Sequence, residues 1–262
     1  MRHLLWAAAA VALGLAACSP PAQQEEPPPV QVAVSPDAAN IQAAIADARR
    51  PAEDVARDAA RHPAETLGFA GIEPGDKVGE IFPGGGYFTR LFAVAVGEEG
   101  RVYPTIRPDG VAGEFETPIL PIAAQYPNAV MARTPYDALA YPEPLDVVFT
   151  AQNYHDMALT AYNLGDRARM NATAFAALKP GGVYVIIDHA ATAGSALETD
   201  AETALHRIDP AIVRAEVEAA GFVFDGESDV LRNPADTHTV SVFDPTIRGR
   251  TDQFMMRFRK PE

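Results

Sequence analysis

The chain is poor in cysteine, in positive charge and in long apolar runs, and each shortage closes off a class of explanation. Cys18 is the only cysteine among 262 residues, so no disulfide can form within the chain. Lysine and arginine total 21 against 35 aspartates and glutamates, a formal net charge of −14. Polyphosphate binding needs a clustered basic face, and no basic run exists, which argues against nucleic acid as a partner. No apolar run reaches the roughly 20 residues a bilayer-spanning helix requires. What remains is a chain with 48% hydrophobic residues, enough to bury one substantial core.

The beginning of the chain has its own pattern. Arg2 and His3 precede an apolar run from Leu4 to Ala17, which ends in Leu15-Ala16-Ala17-Cys18. This resembles the lipobox of bacterial lipoproteins, and the resemblance implies cleavage before Cys18 and lipidation of its thiol. Residues 1–17 are then a lipoprotein signal peptide and Cys18 a membrane anchor. An ordinary signal peptide with an incidental cysteine, or an N-terminal helix, are the alternatives. Ser19 after the cysteine leans towards the outer membrane, so the expected location is the periplasmic face of that membrane in the cell envelope. Residues 18–37, rich in Pro, Gln and Glu, read as a flexible tether.

From residue 38 to 262 the pattern is that of one folded domain. Ile41, Ile45 and Ala48 share a helical face, a second Ala-rich helix is predicted over 53–60, and a third starts at Pro63 and stops before Gly71. These helices, 38–70, form an N-terminal cap. Strand and helix then alternate. Strands are predicted over 77–82, 101–106, 129–133, 146–150 and 183–188, with helices over 87–96, 118–125, 158–178 and from Pro210 to before Gly221. The tail supplies 222–224, 239–243 and 254–258. Such alternation predicts an α/β fold, a doubly wound, mostly parallel sheet. Nothing in the pattern sets the oligomeric state.

Ligands of such sheets bind beyond the carboxyl ends of the strands. Pro83-Gly84-Gly85-Gly86 follow the first strand, Gln152-Asn153-Tyr154-His155-Asp156 the fourth, and Asp188-His189 the fifth. His62 and His206 are also expected near that edge. Val78 to Gly86, Leu145-Asp146-Val147-Val148-Phe149 and Leu178-Lys179-Pro180-Gly181-Gly182 resemble, in order and spacing, the motifs of class I S-adenosylmethionine-dependent methyltransferases, over about residues 64–225. Asn153-Tyr154-His155-Asp156, Asp188-His189, His206-Arg207-Ile208-Asp209 and Gly249-Arg250-Thr251-Asp252 resemble a bacterial group of predicted methyltransferases.

The resemblance implies a Rossmann-like fold and a small-molecule methyltransferase using S-adenosylmethionine. Pro83, Gly84, Gly85 and Gly86 would pass close to the cofactor, Glu80 would lie beneath its pocket, and Asp137 would meet the adenine amino group. His155 with Asp156, or His189 with Asp188, would be the acid–base pair. A tight turn without ligand, and packed or capping roles for His155 and Asp156, are the structural alternatives. A divalent-metal site built from His155, Asp156, Asp188, His189 and His206 is a second functional reading.

Two positions depart from the family pattern. Phe82 stands where the glycine loop usually has its first glycine, and Ile106 or Thr105 stands where an acid normally holds the ribose hydroxyls; Asp109 is a substitute three residues on. S-adenosylmethionine is also made in the cytosol. A retired methyltransferase domain that binds a metal or another small ligand is therefore the rival reading.

Overall fold

The strands form where apolar residues alternate between two faces that are both covered. The computed structural model describes residues 35–108, 119 and 121–262. Its sheet contains β1 (Lys77–Ile81), β2 (Arg101–Ile106), β3 (Ala132–Arg133), β4 (Leu145–Ala151), β5 (Leu178–His189), β6 (Val223–Ser228) and β7 (Gln253–Arg259). The order is β3-β2-β1-β4-β5-β7-β6. β1 to β5 pair in parallel, and β7 runs antiparallel to both β5 and β6. This is the doubly wound, mostly parallel Rossmann-like α/β sheet expected from the alternation.

β5 shows how the two cores arise. Val183, Val185 and Ile187 face one cluster, while Tyr184 and Ile186 face the other. Successive side chains of a strand point to opposite faces, and helices cover both faces of a parallel sheet. The first cluster packs the sheet under α1 (Ala39–Ile45), α4 (Pro63–Ala70) and α5 (Tyr87–Ala95), through Ile41, Leu67, Phe88 and Phe92. The second packs it against α7 (Arg167–Ala177) and α8 (Pro210–Ala219), through Met170, Ala174, Val213 and Val217. No helix among the described residues is long and apolar enough to cross a membrane.

Several predicted elements come out differently. The helix expected over 53–60 is two short helices, α2 (Ala52–Val55) and α3 (Asp58–Arg61). Arg57 N–H bonds back only to Asp54 O, a tightened turn that points Asp54 and Asp58 towards Arg90 and Arg50. The helix expected from 158 starts only at Arg167. Two 3₁₀ turns (His155–Ala158 and Thr160–Tyr162) precede it, and left-handed Asn163 and Gly165 break the path. Asp166 then caps α7, accepting from Arg169 N–H at 2.8 Å. Pro121 caps the four-residue α6 (Ile122–Gln125), shorter than the helix predicted over 118–125, of which residues 118 and 120 lie outside the described set. Residues 239–243 are not a strand; Val240 O accepts from Arg207 and Val242 N–H bonds Leu205 O, so the segment braces a loop. Residues 1–34 also lie outside the described set, and with them the segment expected as a signal peptide, Cys18 and most of the segment expected as a tether.

Candidate functional site

The strand order reverses between β1 and β4, so a crevice opens where their crossovers leave in opposite directions. The turn from β1 into α5 sits there. Phe82, Gly84 and Gly86 all have left-handed backbones, with φ of 56°, 53° and 79°. For a phenylalanine this is a costly conformation. Its ring lies 3.9 Å, centroid to centroid, from Tyr136, and it packs beside the second core. Phe82 therefore folds under the turn and braces the segment after β3. The three glycines differ in their reasons. A Cβ on Gly86 would lie 2.0 Å from Ile122 Cδ1, whereas at Gly84 and Gly85 it would meet nothing within 4 Å. Gly86 serves the packing, and the open side of the loop lies over Gly84 and Gly85.

Beneath the turn, Glu80 is buried and accepts from Thr89 Oγ1 of α5. Burial raises its pKa to about 8, against the Thr89 hydrogen bond and the charges of Arg61 and Arg90. The cap fastens itself to the same place. Arg90 donates to Gly85 O at 2.9 Å and to Asp54 at 2.8 Å, tying the glycine turn to α2. Asp58 receives Arg50 and Tyr87. Arg61 donates to Gln152 Oε1 at 2.6 Å and lies over the Tyr87 and Phe88 rings. Burial and the neighbouring Arg57 lower its pKa to about 10.

Beyond β4 and β5 lies a second polar group. Asp188, fully buried at the end of β5, accepts His155 Nδ1 at 2.7 Å, His155 N–H at 2.8 Å and His189 N–H at 2.8 Å. His155 Nε2 stands 3.1 Å from Asp156 Oδ1, and His206 Nδ1 stands 3.1 Å from the same oxygen. Tyr154 anchors the segment, its hydroxyl bonded to Glu216 and to Asn171. Burial by itself would lower the His155 pKa. The Asp188 charge and the hydrogen bonds to Asp156 and Asp188 outweigh it and raise the value to about 10, so the ring is an imidazolium at neutral pH. Asp156 is held well below the usual carboxylate range, its burial outweighed by hydrogen bonds from His155 and His206. His189 behaves oppositely. Burial, helped by the nearby cations His155, Arg207 and Arg61, overcomes the pull of Asp188 and lowers its pKa to about 4. Its Nδ1 is held by Thr251 Oγ1 at 2.7 Å.

The structure thus gathers His155, Asp156, Asp188, His189 and His206 around the end of β5, where Asp188 has the strand face of Ile186, on the α7–α8 side, and His189 that of Ile187, on the α5 side. Glu80 shares the strand face of Val78 and belongs to the α5 side. Asp137 goes elsewhere: it pairs with Arg169 at 3.7 Å, accepts Asp166 N–H and packs on Gly165, fixing the start of α7. His62 is half exposed beside Glu65. Ile106 is buried at the end of β2, and Asp109 lies outside the described residues. Arg61, Arg90 and Gln253 were not singled out from the sequence; Gln253 meets Gln152 at 2.9 Å across 101 residues, a pairing no local pattern signals. A cavity of about 380 Å³ opens at the opposite, amino edge between Asp146, Lys179 and Arg257, but no candidate residue lines it.

No known protein-family model matches the chain, and no curated protein matches it in sequence. Among solved structures the fold is shared. A SAM-dependent methyltransferase from Aquifex aeolicus superimposes with a TM-score of 0.56 and 17% identity, over 78% of this chain and 93% of that one. The Burkholderia thailandensis 1,6-didemethyltoxoflavin-N1-methyltransferase, bound to 1,6-didemethyltoxoflavin and S-adenosylhomocysteine, gives 0.52 and 16%, over 79% and 78%. The N-methyltransferase NodS from Bradyrhizobium japonicum gives 0.52 and 12%, over 80% and 98%. The sheet is therefore of the class I methyltransferase type.

Proposed function

We propose that the protein is an S-adenosylmethionine-dependent methyltransferase acting on a small molecule, held in the cell envelope through a lipid on Cys18. The observation that carries this reading is the glycine turn at the β1/β4 switch point, with open space over Gly84 and Gly85 in a fold shared with methyltransferases. Backbone without side chains on that side fits close approach by the cofactor's methionine portion. S-adenosylmethionine supplies an electrophilic methyl group; the chain's task is to position the acceptor and take its proton.

Of the two histidines proposed as base, the environment favours His189. It is neutral at physiological pH, and in the tautomer whose Nδ1–H donates to Thr251 Oγ1, Nε2 is the nitrogen that accepts a proton. His155 has both ring nitrogens directed at carboxylates and serves to position the segment after β4. Asp137, bound to the start of α7, is not assigned to adenine. The rival reading, a retired domain that keeps a small ligand without transfer, draws on Ile106, which offers the ribose no acceptor.

The product analogue separates the two. S-adenosylhomocysteine at about 100 times its Kd stabilises a binding protein by about 2.7 kcal/mol, which raises the melting temperature by several degrees. The account expects that rise for residues 18–262. An unchanged melting temperature at millimolar S-adenosylhomocysteine would favour the retired domain.

A further inference from the structure

We infer that His155 Nε2, Asp156 Oδ1 and His206 Nδ1 form a binding site for one divalent transition-metal ion, with a coordination position left open to an oxygen-donor ligand. The three atoms lie within 4.8 Å of one another, and both histidine nitrogens stand 3.1 Å from the shared carboxylate oxygen. Ligands at the distances zinc keeps lie about 3.4 Å apart on a tetrahedron. Both nitrogen–oxygen separations are within a few tenths of an ångström of that spacing. Two imidazoles and one carboxylate suit zinc, iron(II) or manganese, and three protein ligands mark a site that keeps an open position.

The surroundings support this donor set. Metal-binding histidines commonly direct their second nitrogen at a carboxylate, which fixes the ring. His155 does so: Asp188 takes Nδ1 at 2.7 Å and the backbone N–H at 2.8 Å, and thereby aims Nε2 at Asp156. Asp156 is steadied by Asn153 Nδ2 at 3.2 Å. His206 has a left-handed backbone, φ 59°, which a non-glycine residue keeps only when its neighbours impose it. Arg207 imposes it through Ala190 O at 3.0 Å and a buried pair with Asp236 at 2.9 Å. Phe243 and Tyr162, both exposed, flank the His206 ring at 4.8 and 6.2 Å.

The site differs from the one expected from the sequence. Of the residues expected there, Asp188 and His189 are not ligands, because Asp188 is spent on orienting His155, and His189 turns to Thr251.

The inference does not depend on S-adenosylmethionine, so its test omits it. Residues 18–262, stripped with chelator, are titrated with Zn²⁺, Mn²⁺ and Fe²⁺, and with Co²⁺ for its visible spectrum. One equivalent of at least one ion is expected to bind at micromolar Kd or tighter. His206→Asn, which suits a left-handed backbone, is expected to weaken binding more than about 100-fold and abolish the cobalt band. Asp188→Asn is expected to weaken it about 10–100-fold, as loss of an orienting partner does. Folding of each variant is checked by its melting curve. No uptake by the folded wild type, or uptake that His206→Asn leaves intact, overturns the site.

Discussion

Asp188→Ala is expected to cost the fold about 3–5 kcal/mol, among the largest effects of any single side chain at this edge. Asp188 is fully buried, and its two oxygens accept three N–H groups, two of them from His155. Removing it takes away one of the two carboxylates that hold the buried imidazolium and strands two backbone donors. The loss has a pH signature. The His155 pKa is raised from 6.5 to about 10, so its stabilisation is fully present below pH 6.5 and disappears as pH rises through about 10. Urea unfolding in chelator should therefore show the widest gap between wild type and Asp188→Ala near pH 6 and a narrower one near pH 10. A gap independent of pH would mean that Asp188 acts only through its backbone hydrogen bonds.

Glu80→Gln is expected to do the opposite and stabilise the protein at alkaline pH. Burial raises Glu80 from 4.5 to about 8. Between these values the unfolded chain has lost the proton and the folded chain retains it. Folding then takes up a proton, and stability falls as pH rises from 4.5 to 8, then levels off. At 1.36 kcal/mol per unit, the full shift is worth about 5 kcal/mol as an upper bound. Glutamine keeps the shape and removes that slope. Melting curves of the two proteins at pH 5 and pH 8.5 read it directly: the variant should gain on wild type at the higher pH. A variant less stable at both values would show an ionised Glu80 paired with Arg61 and Arg90.

The parts of the fold legible from sequence were those with strong local rules. Asp209 and Pro210 begin α8 as expected, with Asp209 accepting Ala211 N–H. The apolar stretch within 145–151 is the central strand β4, and Pro63 and Gly71 bound α4. What was not legible depends on distant partners. The 53–60 helix divides because Asp54 and Asp58 turn inward to Arg90 and Arg50, which no periodicity reveals. The start of α7 was placed nine residues early, although Asn163, Gly165 and Asp166 carry the break and the cap. In the site, residues after strands 4 and 5 were found by the edge rule, and the structure brings His206 to them. Their roles were not legible: which of His155 and His189 holds a proton depends on burial and on Asp188 facing one ring rather than the other.

The most direct test of cofactor use is a calorimetric titration of residues 18–262 with S-adenosylmethionine, run beside Gly85→Val. Gly85 lies outside the left-handed region and has open space where a side chain would go, so the variant is expected to fold as the wild type does. Micromolar, stoichiometric binding is expected of the wild type, and at least about tenfold weaker binding when valine fills that space, on the order of 1.4 kcal/mol. No heat with the wild type, or equal affinity in Gly85→Val, would contradict cofactor use at this turn.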